Sequence, residues 1–299
     1  MKSVLVIGST CVDVIINLER LPKTGEDLHP KSQSLAMGGC AYNVANILRQ
    51  AGASFTFATP VGSGIYGDYV ASHLKASGFF TPVPRQEEEN GCCYCLVEES
   101  GERTFLSCHG PEYSFQKEWL DSLGLAGYSM VYICGLEVEA PTGKNLVNFL
   151  EENRHMEIYF APGPRGIHIP DGRLDQMLAL HPVLHINRQE AAELSGHQDL
   201  LEAAAALHAV TKNTVIITLG PNGAFFMEKD GTSSMVPGVP AQVVDTIGAG
   251  DSHIGQVLAS LSRQIPLKEA IRMANAVASK VVSVKGASLT DEEYHSLFS

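Results

Sequence analysis

Two aspartates and two glycines lie close together near the end of the chain, in the segment DTIGAGD at 245–251. The apolar periodicity that follows predicts a helix over 251–262. Gly248 and Gly250 allow a tight turn and a close approach of the backbone to a ligand. Free N–H groups at a helix N-terminus bind anions. Asp251 could simply cap the helix, or it could be a reactive carboxylate beside an anion site.

A second group of chemically versatile residues is the cluster CCYC at 92–95, part of a set of seven cysteines. An odd number of cysteines scattered along a long chain favours reduced thiols in a cytosolic protein. Cys93 and Cys95 share one face of a predicted strand. No CxxC pair or nearby His-x-x-x-His accompanies them, so the spacing favours packing of small apolar side chains over a zinc site.

Composition and charge limit the classes of partner. The chain has 299 residues, 44% of them hydrophobic and 18% charged, enough for one large α/β domain or two lobes. The net charge of −12 argues against nucleic acid or an anionic membrane as a partner. No apolar run approaches the roughly 18 residues of a membrane helix. The start, MKSVLVIGST, predicts a buried strand rather than a signal peptide. We therefore expect a cytoplasmic protein.

Short apolar runs alternate with helical patterns along most of the chain, which predicts a three-layer, doubly wound and mostly parallel sheet with helices on both faces. Ligands of such folds bind beyond the carboxyl ends of the strands. The predicted strands lie at 3–8, 54–62, 129–135, 157–163, 183–187 and 214–220. The predicted helices lie at 41–52, 67–78, 142–153, 199–210 and 251–262, with a further apolar helix around residue 275.

Two stretches, 11–36 and 91–108, show period-two patterns instead of helices. ESGE at 99–102 is a hairpin turn signal within the second. We expect the two insertions to pair as a small antiparallel sheet, a lid over a site that must exclude water. The body would then comprise residues 1–10, 37–90 and 109–299.

Five motifs in register resemble those of the ribokinase-like (PfkB) carbohydrate kinases. DTIGAGD is similar to the family's D-T-x-G-A-G-D, and the segment 38–43 (GGCAYN) resembles its Gly-Gly signature followed by Asn. NRQE at 187–190 matches N-x-x-E, and 218–223 resembles the nucleotide loop. Asn275, eleven residues before Gly286, fits the last helix and the glycine beyond it.

The resemblance implies an α/β body with a β lid and transfer of the γ-phosphate of ATP to a hydroxyl group. Asp251 would be the general base, and the backbone amides of Gly248, Ala249, Gly250 and Asp251 would hold the phosphoryl group. Asn187 and Glu190 would act through Mg²⁺ and its waters, although NRQE also reads as a helix capping box.

The resemblance further assigns a nucleotide side and a cation site. Thr218, Gly220 and Gly223 would line the phosphate and ribose side of ATP, and Asn275 and Ser279 would face the adenine. Asn275 could instead hydrogen-bond a neighbouring loop. A monovalent cation, K⁺, is expected at the positions matching the family site, which are Asp245, Ile247, Val281, Val284, Gly286 and Thr290.

On the acceptor side, the resemblance implies that Asp13, Gly39, Asn43 and Glu137 hold the sugar together with Asp251. Glu139 is an alternative to Glu137, because we expect both on one face of a strand. A carboxylate can accept hydrogen bonds from two hydroxyl groups.

The chain also departs from the family pattern. Cys11, Cys40 and Tyr42 differ from ribokinase itself and put D-ribose in doubt. His253 follows the base where the family often has Phe, and we expect it to pack beneath the loop rather than contact the substrate.

These observations favour an ATP-dependent kinase of a monosaccharide. A nucleoside kinase of the same family and a non-catalytic sugar or nucleotide sensor stay open. An NAD-dependent oxidoreductase is disfavoured, because the segment GSTCVD at 8–13 lacks G-x-G-x-x-G. A homodimer formed through the lid is a further expectation.

Overall fold

The computed structural model describes residues 2–298. Its strands are β1 (Ser3–Ile7), β2 (Cys11–Asn17), β3 (Ser32–Gly38), β4 (Phe55–Ala58), β5 (Cys92–Val97), β6 (Arg103–Cys108), β7 (Tyr128–Cys134), β8 (Glu157–Ala161), β9 (Val183–Asn187), β10 (Val215–Thr218), β11 (Ala224–Met227) and β12 (Ser233–Val236). Its helices are α1 (Cys40–Gln50), α2 (Gly64–Ala76), α3 (Lys117–Asp121), α4 (Gly135–Glu139), α5 (Gly143–Glu152), α6 (Asp171–Ala179), α7 (Arg188–Ser195), α8 (Leu200–Thr211), α9 (Ala249–Ser262), α10 (Leu267–Val281) and α11 (Asp291–His295). None of these helices combines the length and hydropathy that crossing a bilayer requires.

The larger sheet has eight strands among the described residues, in the order β12-β11-β10-β9-β8-β7-β1-β4. Every neighbouring pair from β4 to β10 is parallel. The last two pairs are antiparallel. The predicted α/β fold with a mostly parallel sheet is therefore confirmed. The hairpin of β11 and β12 was not predicted, because its strands are only four residues long.

Strand β1 shows why the first apolar run has no polar positions. Val4 and Val6 belong to the hydrophobic core on one face of the sheet, whereas Leu5 and Ile7 belong to the core on the other face. All four side chains are fully buried. Since successive side chains of a strand point to opposite faces, helices must cover both faces.

The smaller sheet joins the two insertions in the order β3-β2-β5-β6. Each insertion folds as an antiparallel pair, but β2 and β5 pair in parallel. The expectation of a wholly antiparallel lid is therefore wrong. The first strands of both insertions leave the body in the same direction, so the strands that meet must be parallel. Strand β3 also extends to Gly38, two residues beyond the predicted boundary.

Truncation of Leu5 tests the two-sided core. We expect Leu5→Ala to lower the free energy of unfolding in urea by about 2–5 kcal/mol, because a cavity remains in a site with no solvent access. Ile65, which is 82% exposed, is the matched control, and Ile65→Ala should stay within about 0.5 kcal/mol of the unmodified protein. Equal effects of the two substitutions would contradict the placement of β1.

Candidate active site

Helix α9 begins at Ala249, with Gly248 as its N-cap residue in a left-handed conformation (φ of 73°). A β-carbon at Gly248 would lie 2.7 Å from the β-carbon of Ala287, so only glycine fits. No side chain caps this terminus. The helix therefore begins with uncapped backbone amides, which is the arrangement that binds anions. It starts two residues earlier than predicted.

Asp251 lies in the first turn of α9. Its carboxylate accepts a hydrogen bond from Asn43 Nδ2 at 2.9 Å. Burial raises the pKa of Asp251 to about 6, against hydrogen bonds from Asn43 and Cys40 that lower it. The group is mostly ionised at neutral pH yet close enough to its pKa to accept a proton.

Asp13 lies on β2, on the lid side of the same cleft. Burial and, secondarily, the negative charge of Asp251 raise the pKa of Asp13 to about 6. A β-carbon on Gly38 would approach the Asp13 carboxylate to 2.5 Å, and one on Gly39 (φ of 104°) would approach the Ser9 carbonyl oxygen to 2.5 Å. The absence of side chains at Gly38 and Gly39 thus lets the start of α1 pack closely on the end of β1 and on Asp13.

Glu137 was expected on a strand but lies in helix α4, directly after β7. Its side chain is fully buried, and Oε1 accepts the Ser9 backbone N–H at 2.8 Å. Burial raises the pKa of Glu137. Glu139 forms an ion pair with Arg165 instead. The shared strand face that made Glu139 an alternative to Glu137 is therefore wrong.

Several buried oxygen atoms near this end of the cleft have no hydrogen-bond partner among residues 2–298. They include Glu137 Oε2, Asn43 Oδ1 and Ser9 Oγ. Buried polar atoms are normally satisfied, so this group is able to accept hydrogen bonds from a ligand that brings its own hydroxyl groups.

The lid sheet places two thiols beside Asp13. Cys93 and Cys95 share one face of β5, as predicted, with 3.9 Å between their sulfur atoms. Asp13 lies with them, all three ligand atoms being within 4.8 Å of one another. The thiol of Cys95 donates toward Cys93, which lowers the pKa of Cys93 to about 7. This group was not predicted, because the β2–β5 register is a long-range feature without a local signal in the sequence.

The five positions assigned to the nucleotide line one cavity of about 250 Å³, together with Ala249 and Gly250. They are Thr218, Gly220, Gly223, Asn275 and Ser279. A β-carbon on Gly250 would meet no protein atom within 4 Å. The cavity therefore runs up to the uncapped amides of α9.

The apolar wall of this cavity was missed in the sequence. Val239, Ala241 and Val243 line it from the segment between β12 and α9. Val243 is 64% exposed, and Val239 is 42% exposed. The sequence did carry a signal for this wall, namely several apolar residues close together in a Pro/Gly-rich stretch without a predicted helix or strand. Exposed apolar residues that lie together often mark a ligand-binding surface.

Asn275 and His253 belong to a buried chain of side chains. Asn275 Nδ2 donates to the carbonyl oxygens of Val236 (3.3 Å) and Pro237 (3.0 Å), and its Oδ1 lies 3.1 Å from His253 Nε2. His253 Nδ1 lies 2.8 Å from His185 Nε2. Burial lowers the pKa of His253 to about 4, so it is neutral. His253 is buried and also lines the nucleotide cavity, and Asn275 holds the loop beside that cavity.

Asn187 and Glu190 form the predicted capping box at the start of α7. Asn187 Oδ1 accepts the Glu190 N–H at 2.9 Å, and Glu190 Oε2 accepts the Asn187 N–H at 3.0 Å. Burial raises the pKa of Glu190. Both residues also line a cavity with Gly248, Gly250 and Asp251. Oxygen ligands facing such a cavity suit a hydrated Mg²⁺.

The side chains at the expected K⁺ site suit a cation less well than those at the expected Mg²⁺ site do. Asp245 accepts hydrogen bonds from the N–H groups of Ile247 (2.9 Å) and Gly286 (3.1 Å), which brings the two loops together. Its carboxylate is, however, already paired with Arg103 of the lid. Burial opposes ionisation of Asp245, but Arg103 and the two N–H groups outweigh it and lower its pKa. Thr290 Oγ1 is engaged in the capping box of α11.

The remaining two positions of this set are apolar. Val281 is fully buried at the end of α10, and Val284 packs against the core cluster of that region. Such residues could offer only backbone carbonyl oxygens, so the K⁺ assignment stays a prediction.

Comparison with known proteins identifies the family of the chain. A family model described as pfkB family carbohydrate kinase matches residues 1–293. An uncharacterized sugar kinase of Escherichia coli (strain K12), YegV, is 38% identical over 292 residues, which span 95% of this chain and 90% of that protein.

Solved structures show the same fold. Ribokinase from Thermotoga maritima has a TM-score of 0.86 at 21% identity, covering 100% of this chain and 99% of its own. Arabidopsis thaliana ribokinase, complexed with ribose and ATP, has a TM-score of 0.80 at 20% identity, covering 99% and 98% of the two chains. The ribokinase-like fold is therefore confirmed. With a family model that spans nearly the whole length, the chain belongs to the pfkB family of carbohydrate kinases.

Proposed function

We propose that the protein transfers the γ-phosphate of ATP to a hydroxyl group of a monosaccharide, with Asp251 as general base and the amides of 248–251 as anion hole. The observation that carries this proposal is the position of Asp251. It is a buried carboxylate in the first turn of an uncapped helix. Its neighbour Gly250 lines the nucleotide cavity, and its negative charge is near enough to Asp13 to raise the pKa of that carboxyl group.

The reaction follows from this arrangement. The acceptor oxygen attacks the γ-phosphorus while its proton passes to a carboxylate oxygen of Asp251. The bond between the γ-phosphorus and the bridging oxygen breaks, and its electron pair leaves with ADP. Little covalent help is required in such a transfer, so positioning and donors around the phosphoryl oxygens supply most of the catalysis. Gly248 and Gly250 leave the amides accessible.

Asp13, Asn43 and Glu137 support a polyhydroxylated acceptor. Their side chains offer carboxylate and amide oxygens at one end of the cleft, two of which lack partners among the described residues. The Arabidopsis relative is complexed with ribose. Here Cys11 is close enough to Asp13, and Cys40 to Asp251, for these carboxylates to raise the pKa of the thiols, whereas Tyr42 packs against Phe79 in the core. The two cysteines at this end of the cleft favour a monosaccharide other than D-ribose.

Glu190 and Asn187 would hold Mg²⁺ through its water molecules. When bound, the ion neutralises charge on the phosphate oxygens. The chain's own contribution is a fixed pair of oxygen-bearing side chains at the start of α7. Asp245 is already paired with Arg103, and the proposed transfer does not involve K⁺.

Two broader expectations belong to the same proposal. We place the enzyme in the cytoplasm, where ATP is available, and its seven free cysteines support a reducing compartment. We also propose self-association through the lid, which exposes Phe105 (51%) and Leu106 (55%) on β6.

Replacement of the base tests the chemistry. In a coupled ADP-release assay over a panel of sugars and nucleosides, one monosaccharide should be turned over best by the unmodified protein. With that acceptor, Asp251→Asn should lower kcat by about 10²–10⁴-fold, because proton acceptance is lost. Asn keeps the shape and an oxygen for Asn43, so ATP binding by calorimetry should be unchanged. Near-normal turnover would refute the base assignment, and tight sugar binding without any turnover would favour a sensor.

The pH profile offers an independent test. Since the pKa of Asp251 is raised to about 6, the base becomes protonated as pH falls through that value. We expect kcat/KM to be constant at higher pH and to fall about tenfold per unit below about pH 6. Asp13 titrates in the same range, so the profile reports the coupled pair. Circular dichroism at each pH controls for unfolding. An acidic limb centred near pH 4 would contradict a buried base.

Replacement of Asp13 tests whether this residue binds the acceptor and not ATP. Asp13→Ala should raise the KM for the sugar by about 10- to 100-fold for each hydroxyl hydrogen bond lost, since bonds to a charged group contribute about 1.5–3 kcal/mol. The KM for ATP should not change. Asp27→Ala, which removes an exposed carboxylate from the same insertion, is the matched control. An effect confined to ATP would show that Asp13 does not bind the acceptor.

A further inference from the structure

Three metal-ligating side chains meet on one face of the lid sheet. In the parallel pairing of β2 with β5, Asp13 lies opposite Cys93. Registered neighbours and residues two apart on a strand project from the same face, so Asp13, Cys93 and Cys95 form one group. Its three ligand atoms lie within 4.8 Å of one another.

The spacing of the two thiols matches that of zinc ligands. Tetrahedral Zn²⁺ binds sulfur at about 2.3 Å, which places two coordinated sulfur atoms about 3.8 Å apart. Here the sulfur atoms of Cys93 and Cys95 are 3.9 Å apart. The carboxylate of Asp13 accepts no hydrogen bond from the described residues, so its oxygen atoms are available for a metal.

We propose that Asp13, Cys93 and Cys95 form a binding site for a soft divalent metal ion of the zinc class on the inner face of the lid. Two thiolates and one carboxylate supply three ligands and leave a fourth position for water or substrate. Binding releases the protons of the two thiols to the solvent, so that the two thiolates neutralise the charge of Zn²⁺ and the Asp13 carboxylate leaves the site with one net negative charge. Cys93 is half-buried and Cys95 is buried, and Cys95 also lines a cavity with Asp245 and Ile247.

The site overlaps the acceptor end of the cleft. Asp13 cannot bind a metal ion and grip sugar hydroxyl groups with the same oxygens, so zinc would inhibit the kinase in competition with the acceptor. This inhibition rests on the proposed function, whereas binding of the metal does not. Excess free zinc in the cell would therefore slow phosphorylation of the sugar without affecting ATP binding.

Cobalt substitution tests the site in the reduced, full-length protein. Titration with Co²⁺ should give a thiolate-to-metal charge-transfer band that saturates at one equivalent, and Zn²⁺ should displace it. Cys93→Ser and Cys95→Ser should each weaken Zn²⁺ affinity by at least about 100-fold, more than the loss of a supporting residue around a metal. Asp13→Asn should weaken it while leaving the sulfur band. Thermal unfolding confirms that each variant is folded.

Cys108→Ser is the matched control, because Cys108 is exposed on the neighbouring strand β6 and lies outside the group. Its Co²⁺ spectrum and affinity should equal those of the unmodified protein. Absence of the charge-transfer band, or a band that survives both Cys93→Ser and Cys95→Ser, would overturn the metal site.

Steady-state kinetics then separate the two claims. Zn²⁺ should raise the apparent KM for the sugar without changing kcat, and a chelator should reverse the effect. In Cys93→Ser the same Zn²⁺ concentration should inhibit much less. A sulfur band with one equivalent of metal but no competition with the sugar would support the metal site and overturn the placement of the acceptor at Asp13.

Discussion

The arrangement of the cleft depends on one electrostatic relation, that between the Asp251 carboxylate and the uncapped start of α9. Burial disfavours the negative charge of Asp251 and hydrogen bonds from Asn43 and Cys40 favour it, and the pKa of about 6 is the balance of these influences. The start of a helix also favours a negative charge nearby. In the proposed reaction, a phosphoryl group on the amides adds a second negative charge nearby. Like charges raise the proton affinity of a carboxylate, so Asp251 would become a stronger base as the phosphoryl group arrives. The proposed anion site and the proposed base would therefore reinforce each other.

Close packing of two helices fixes the geometry of this pair. A β-carbon on Gly255 of α9 would lie 3.0 Å from Ile47 Cβ and 3.2 Å from the Val44 carbonyl oxygen, both on α1. The absence of a side chain at Gly255 thus lets α9 lie directly on α1. Because α1 also carries Asn43, the hydrogen bond from Asn43 to Asp251 follows from this contact. Gly255, which lies one turn after Asp251, therefore helps to position the Asp251 carboxylate through this packing contact.

Local patterns in the sequence were sufficient for most of the body and for the helix that carries Asp251. The run at 3–8 predicted β1, and the glycines of DTIGAGD predicted the tight turn before α9, because both depend on neighbouring residues alone. Features that depend on distant pairing were not predictable. The parallel register of β2 with β5 brought Asp13 to Cys93, and the end of β7 placed Glu137 on a helix. Neither fact has a signature within a few residues.

The lid contacts the cleft at two points, which makes its position relevant to both substrates of the proposed reaction. Through β2 it carries Asp13 to the end of the cleft where we propose that the acceptor binds. Through β6 it carries Arg103 to Asp245, whose carboxylate also holds the N–H of Ile247, one residue before the N-cap of α9. This ion pair is largely shielded from water, so it is less screened than a surface pair. Movement of the lid must either break the pair or carry the 245–247 segment with it. The segment leads directly into the anion site, so opening of the lid and the shape of the phosphoryl cradle are mechanically linked.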